Sequence, residues 1–155
     1  YNVYKVYRFK FPIEIKENNF HIGISAPLFT AVRTNKIELI KYFVKNGANL
    51  NIRAHQAAAS PGYTPLAFAL NKKKCEISKI LIQLGANVQT NSTRPIYVTN
   101  YSSTTILNLA IKYCPSLVEL LVKKGAEVNN EAVKIAKKLG RTRIIKILKR
   151  YGARE

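Results

Sequence analysis

Side chains able to do chemistry are few in this sequence, and their spacing does not assemble a catalytic or metal site. The two histidines, His21 and His55, are isolated, and neither stands at metal-ligand spacing from Cys75 or Cys114. The sequence has no glycine-rich phosphate loop and no nucleophile elbow. Its eight glutamates are spread thinly along the chain. We therefore expect no catalytic residues, metal ion, cofactor or small-molecule substrate.

Positive charge is the chemical property that the sequence does supply. Its 155 residues include 26 Lys or Arg against 8 acidic residues, which gives a formal net charge of +18. Abundant Lys, Asn, Ile and Tyr are typical of AT-rich coding sequence, but such a bias does not account for the complete lack of aspartate. Net charge bears on association rather than on fold. The composition therefore predicts a negatively charged partner, either an acidic protein or RNA or another polyanion.

Four Gly-Ala pairs divide the chain, and each follows an apolar stretch at helical spacing. Glycine suits the position after a helix because that residue often adopts a left-handed conformation. A second landmark lies upstream of each pair and is followed by an alanine. The landmarks are Ala26-Pro27-Leu28, Thr64-Pro65-Leu66, Thr105-Ile106-Leu107 and Glu131-Ala132-Val133, and the pairs are Gly47-Ala48, Gly85-Ala86, Gly125-Ala126 and Gly152-Ala153. The pattern predicts one unit of two short helices, used four times.

The order Thr-Pro-Leu, Ala, Ile-Leu and Gly-Ala-Asn is clearest at residues 62–69 and 80–87. This order resembles the ankyrin repeat. This resemblance implies an all-α, ankyrin-type repeat solenoid with about four repeats, at residues 26–61, 62–103, 104–129 and 130–155. It also implies a non-catalytic protein–protein interaction scaffold, which the charge suits to an acidic partner. The alternative that the charge leaves open is a basic structural component of a ribonucleoprotein, such as an organellar ribosome.

Residues 1–25 form an N-terminal extension to the repeats. Apolar and polar residues alternate along much of residues 1–16, which predicts a half-buried strand that caps the first repeat, pairs with a partner's sheet or is poorly ordered. The sequence contains no apolar run long enough for a transmembrane helix and no recognisable signal peptide. We expect an intracellular protein of the cytosol or of an organelle such as the mitochondrion.

Three sets of residues are candidates for partner contact, and each also fits an ordinary solvated surface. The ankyrin pattern places on the concave face the residues two positions after each repeat alanine, namely Arg33, Asn71, Lys112 and Lys138. The two enlarged loops contribute Arg53, Tyr63, Arg94, Tyr97 and Tyr101. A basic C-terminal patch comprises Lys137, Arg141, Arg143, Lys146, Arg150 and Arg154.

The two cysteines fall one repeat apart, each in or beside the turn between the two helices of its unit. Cys75 precedes the second helix of its unit, and Cys114 lies in the turn of the next unit, which is one residue shorter and contains Pro115. They could be neighbours in space. Because cysteines inside cells are usually reduced, we expect two buried free thiols.

Overall fold

The computed structural model describes residues 27–53, 63–89 and 104–153, and the predicted N-terminal strand lies outside these ranges. Its helices confirm the all-α repeat fold. The described residues contain four successive pairs: α1 (Pro27–Arg33) and α2 (Ile37–Lys45), α3 (Pro65–Asn71) and α4 (Cys75–Gln83), α5 (Ile106–Tyr113) and α6 (Val118–Lys123), α7 (Asn130–Lys138) and α8 (Thr142–Arg150). A 3₁₀ helix at Pro115–Leu117 leads into α6. None of the helices described is long and apolar enough to cross a membrane.

The first helices of the four pairs stack side by side. Helix α3 contacts α1 and α5, and α5 contacts α7, while each first helix also packs against the second helix of its own pair. The repeat alanines Ala31, Ala69, Ala110 and Ala136 are all at most 1% exposed. With so small a side chain at this position, the backbones of neighbouring helices can approach closely. The core therefore runs along the stack, between nearest neighbours, rather than gathering at one centre.

Side-chain caps explain where three of the first helices begin. The hydroxyl oxygens of Thr64 and Thr105 accept hydrogen bonds from the backbone N–H three residues later, at 3.2 and 3.1 Å. Asn129 caps α7 in the same way through its Oδ1, at 2.9 Å. Each cap satisfies one backbone donor that the first helical turn leaves without a partner. The Thr64 cap followed by Pro65 matches the sequence-based prediction.

The turns between paired helices follow one design, from which the third pair departs. Asn35, Lys73 and Gly140 hold equivalent places in the first, second and fourth turns, with φ angles of 58°, 58° and 63°. The third turn lacks this residue. There Cys114, with φ at −135°, is followed directly by the 3₁₀ helix that starts at Pro115. The shortened turn anticipated from the sequence therefore changes how α6 begins.

A disulfide joins Cys75 to Cys114, so the prediction of two free thiols is wrong. Cys75 is the first residue of α4, and Cys114 caps the end of α5. Stacking places these two helix ends together, with the Cα atoms 5.4 Å apart. The bond closes a loop across a sequence separation of 39 residues and links the second pair to the third.

Each pair of neighbouring turns in the described stack is linked by a different interaction. The Lys74 ammonium donates a hydrogen bond to Asn35 Oδ1 at 2.6 Å and so links the first turn to the second. The disulfide links the second turn to the third, and the Arg141 guanidinium links the fourth to the third by donating to the Lys112 carbonyl at 3.0 Å. We call the edge of the stack formed by these four turns the turn edge.

Polar contacts also link the segments that follow the second helices. The backbone N–H of Asn87 donates to Asn51 Oδ1 at 2.8 Å, which connects the first and second pairs. The side-chain amide of Gln89 donates to the Gly125 carbonyl and accepts from the backbone N–H of Glu127. These contacts fix the relative position of successive units at the edge opposite the turns.

The left-handed turn residue Lys73 provides a test of the turn design. Replacing Lys73 with Gly should stabilise the protein or leave it unchanged, with a gain of up to about 1 kcal/mol, because glycine adopts a positive φ without steric cost. The matched variant Lys72→Gly changes the neighbouring residue, whose φ is −87°, and should destabilise by a similar amount. Thermal unfolding measures both. Equal destabilisation by the two variants would contradict the assigned turn geometry.

The disulfide should contribute substantially to stability. For a closed loop of this length, loop-closure entropy predicts a loss of about 4 kcal/mol in the free energy of unfolding when the bond is removed. Denaturant unfolding with and without reductant measures this loss. The Cys75→Ala variant serves as the control, because its stability should already be reduced and should not respond to reductant. Equal stability of this variant and the oxidised parent would show that the bond does not stabilise the fold.

Candidate binding surfaces

The predicted concave stripe lies at the ends of the four stacked helices. Arg33, Asn71 and Lys138 are the last residues of α1, α3 and α7, and Lys112 is the last but one of α5. Arg33, Lys112 and Lys138 are exposed, whereas Asn71 is half-buried. Helix stacking thus brings the four residues into one row beside the turn edge. Their role in partner contact stays a prediction.

The described residues among the predicted loop contacts lie in different environments. Arg53 is exposed at the end of the first described range. Tyr63 instead packs, half-buried, against the hydrophobic core. Its ring therefore has a structural contact that the sequence did not predict. Arg94, Tyr97 and Tyr101 lie outside the described residues.

The C-terminal patch is brought together by the last helix pair. Lys137 lies near the end of α7, Arg141 lies in the turn, and Arg143, Lys146 and Arg150 lie on α8. Arg141 is half-buried because its guanidinium contacts the Lys112 carbonyl, and the other four are exposed. Arg154 lies outside the described residues. The α7–α8 pair thus carries the predicted patch on one compact element.

The described surface keeps the charge imbalance of the whole sequence. The described ranges contain twenty lysines or arginines and only five glutamates. Two of these glutamates form ion pairs within their own helices, Glu38 with Lys41 and Glu119 with Lys123, each at 3.0 Å. So few carboxylates can neutralise only a small part of the positive charge.

An open cleft of about 610 Å³ lies between the third and fourth helix pairs. One wall is formed by the 3₁₀ helix and the start of α6, with Pro115, Ser116 and Glu119. The other wall is formed by the fourth turn and the start of α8, and includes Arg141, Arg143, Ile144 and Ile147. The cleft therefore lies where the shortened third turn meets the ordinary fourth turn. The two arginines were predicted as site residues from the sequence. The two isoleucines, Ser116 and Glu119 were not.

The electrostatics of the cleft are dominated by cations. A hydrogen bond from the Lys123 ammonium and its positive charge hold the pKa of Glu119 below its ordinary value, and the charges of Arg150 and Arg143 lower it further. The same ion pair raises the pKa of Lys123. Among the described residues that line the cleft, Glu119 is the one carboxylate, and it is paired with Lys123 and lies near the charges of Arg150 and Arg143.

The described residues contain no group of three or more His, Cys, Asp or Glu side chains that could hold a metal ion. Both described cysteines are consumed by the disulfide. The described surface therefore presents a basic face and a cleft lined by both apolar and charged side chains.

The family of the protein follows from comparison with known sequences. A family model of ankyrin repeats, in three copies, matches residues 12–92, which is just over half of the chain. The chain belongs to the ankyrin repeat family, whose members are typically non-catalytic and generally mediate protein–protein interaction. No curated protein matches the sequence. The helix pairs α5–α6 and α7–α8 continue the same architecture beyond the matched residues.

The ion pair at the cleft wall yields a prediction on pH. Because the pKa of Glu119 is lower in the folded chain than in the unfolded one, its stabilising effect is present near neutral pH and is lost as the pH falls through the folded pKa. Lys123→Ala should raise the pKa of Glu119, and Lys45→Ala, on the distant helix α2, should not change it. Carboxyl-carbon NMR titration measures both. No rise in the Lys123 variant would show that the pair does not form in solution.

Proposed function

We propose that this protein is a non-catalytic binding scaffold that docks on an acidic protein partner through the basic C-terminal helix pair, α7–α8. Membership of the ankyrin repeat family supports the general role of protein–protein interaction. The preference for an acidic partner rests on the charge, because complementary potentials speed encounter and suppress wrong partners.

One observation carries the proposal: the α7–α8 pair concentrates lysines and arginines on exposed positions of a single rigid element. Helix α8 alone presents Arg143, Lys146 and Arg150 to solvent. Arginine can bind a carboxylate through two parallel hydrogen bonds, which lysine cannot do. The terminal unit of a repeat stack needs a polar outer face for solubility, but that requirement is met by either sign of charge.

RNA is the competing partner, and the distribution of cations motivates it. Lys41, Lys79 and Lys146 lie at matching places on the second helices, so positive charge is not limited to the stripe at the ends of the first helices. A polyanion that surrounds the protein would use all of these residues. The family's general role in protein–protein interaction favours the acidic protein.

The disulfide refines the expected location. Disulfides are rare in the reducing cytosol and persist in oxidising compartments. Among the locations that the sequence left open, the Cys75–Cys114 bond therefore favours an oxidising compartment over the cytosol.

Charge reversal on one face tests the proposal. The triple variant Arg143→Glu, Lys146→Glu, Arg150→Glu should lose the acidic proteins that the parent chain retains from its native source after ribonuclease treatment. The matched triple Lys36→Glu, Lys45→Glu, Lys79→Glu makes the same change in net charge at exposed sites on other units and should keep most of the binding. Quantitative mass spectrometry of the retained proteins gives the measurement.

Two results would contradict the acidic-protein proposal. The partner is RNA if ribonuclease removes the retained material and if the logarithm of the binding constant falls linearly with the logarithm of the salt concentration. If both triples lose the same proteins to the same extent, net charge alone drives retention and the α7–α8 face has no special role.

A further inference from the structure

We propose that the cleft between the 3₁₀ helix and α8 is an anchor site for a short peptide segment of the partner, one that combines an apolar side chain with a neighbouring carboxylate. This inference rests on the proposed role as a protein-binding scaffold. It assigns to the turn edge a binding site separate from the predicted concave stripe, and it states the chemistry that the site would select.

The shape of the cleft suits a side chain rather than a flat surface. Its volume of about 610 Å³ falls in the range typical of sites for small ligands and anchoring groups. Ile144 and Ile147 on α8 and Pro115 on the 3₁₀ helix contribute the apolar part of the lining. An apolar side chain buried here would gain from leaving water, which is the usual source of affinity at the centre of an interface.

The charge at the cleft explains why the apolar side chain should be accompanied by a carboxylate. Arg141 is held in place by its hydrogen bond to the Lys112 carbonyl, and Arg143 is exposed beside it. The guanidinium of Arg143 can therefore bind a carboxylate in a forked geometry without giving up an internal partner. Glu119 does not cancel this preference, because it is paired with Lys123.

Two links between neighbouring units border the cleft, which is already formed in the described structure. The disulfide fixes Cys114 directly before Pro115, and the Arg141 contact joins the third and fourth turns on the other side. A pocket that is already formed does not have to be ordered on binding, so more of the contact energy appears as affinity.

An acidic peptide fits these features better than RNA does. Single-stranded RNA is held by stacking of its bases on aromatic rings together with contacts along a positively charged groove. Among the described residues that line the cleft there is no aromatic side chain, and three of them are Pro or Ile. We therefore expect the acidic peptide, and not RNA, to occupy the cleft.

A defined set of fluorescent peptides tests the site. The main probe is a dodecapeptide in which glutamates flank a central Phe-Leu pair. One control peptide replaces Phe-Leu with Ser-Ser, a second replaces every Glu with Gln, and an oligouridylate of similar charge represents RNA. Fluorescence polarisation gives the affinities. Methyl NMR of the oxidised full chain gives the site, and we expect the largest shifts at Ile144 and Ile147.

Two single-residue variants form the matched pair for affinity. Arg143→Glu should weaken binding of the main probe by about tenfold or more, since it replaces a charge-assisted partner with a repelling group. Lys79→Glu on α4 also changes an exposed residue and makes the same change in charge, but Lys79 does not line the cleft. It should weaken binding by less than about threefold, as expected for an exposed charge.

Ser116→Trp tests the apolar part of the site without removing any charge. Ser116 is exposed on the 3₁₀ helix and lines the cleft, so the indole should occupy part of the space that the peptide needs. We expect a loss of about tenfold in affinity for the main probe and little change for the Ser-Ser peptide. Circular dichroism and the thermal midpoint show whether the variant is folded. If it is not, Ser116→Phe replaces it.

The outcomes separate failure of the site from failure of the proposed function. If the main probe binds but shifts the methyls of other units, or if Arg143→Glu and Lys79→Glu weaken it equally, the cleft is not the site although the scaffold role stands. If the oligouridylate binds more tightly and the Ser-Ser peptide matches the main probe, the surface recognises polyanions and both proposals fall. If no acidic peptide binds even at low salt, the acidic-partner proposal fails together with the anchor site.

Discussion

Close packing between the four stacked first helices is the constraint on which the rest of this structure depends. Ala31, Ala69, Ala110 and Ala136 are buried at equivalent places, and a larger side chain there would force neighbouring backbones apart. Because every unit contacts only its neighbours, the same spacing is imposed once per unit along the chain. Rows of exposed residues, the position of the turns and the distance between the two cysteines all follow from it.

The turn edge shows how this regular stack accommodates an irregular unit. The first, second and fourth turns use a left-handed residue, and the third turn lacks one and continues through Pro115 into a 3₁₀ helix. The bond from Cys75 to Cys114 and the contact from Arg141 to the Lys112 carbonyl secure this unit on both sides. The irregular third unit thus coincides with the disulfide, with the Arg141 contact and with the cleft.

Most of the positive charge lies on the surface of the stack and takes no part in forming its helices, whereas Lys74 and Arg141 also link neighbouring turns. Capping, glycine stops and buried alanines account for the helices, and none of these features needs a lysine. The lysines and arginines lie mostly on exposed positions, and under the proposed function they would raise the encounter rate with an acidic partner and disfavour a basic one. The proposed anchor site would add apolar selectivity to this long-range attraction, because carboxylates alone would also bind elsewhere on the basic surface.

The sequence by itself determined the helices, their pairing and the family. Thr64-Pro65, the Gly-Ala pairs and the repeat alanines are local signals, because a cap or a left-handed stop acts within a few residues of itself. The sequence also identified the members of the basic patch on α7–α8, since charge is a property of composition. Only the tertiary structure decided that Cys75 and Cys114 are bonded, that Tyr63 packs against the core and that Ser116 and Ile147 line the same cleft. These facts depend on distances between units far apart along the chain, which the packing of helices sets and local sequence does not encode.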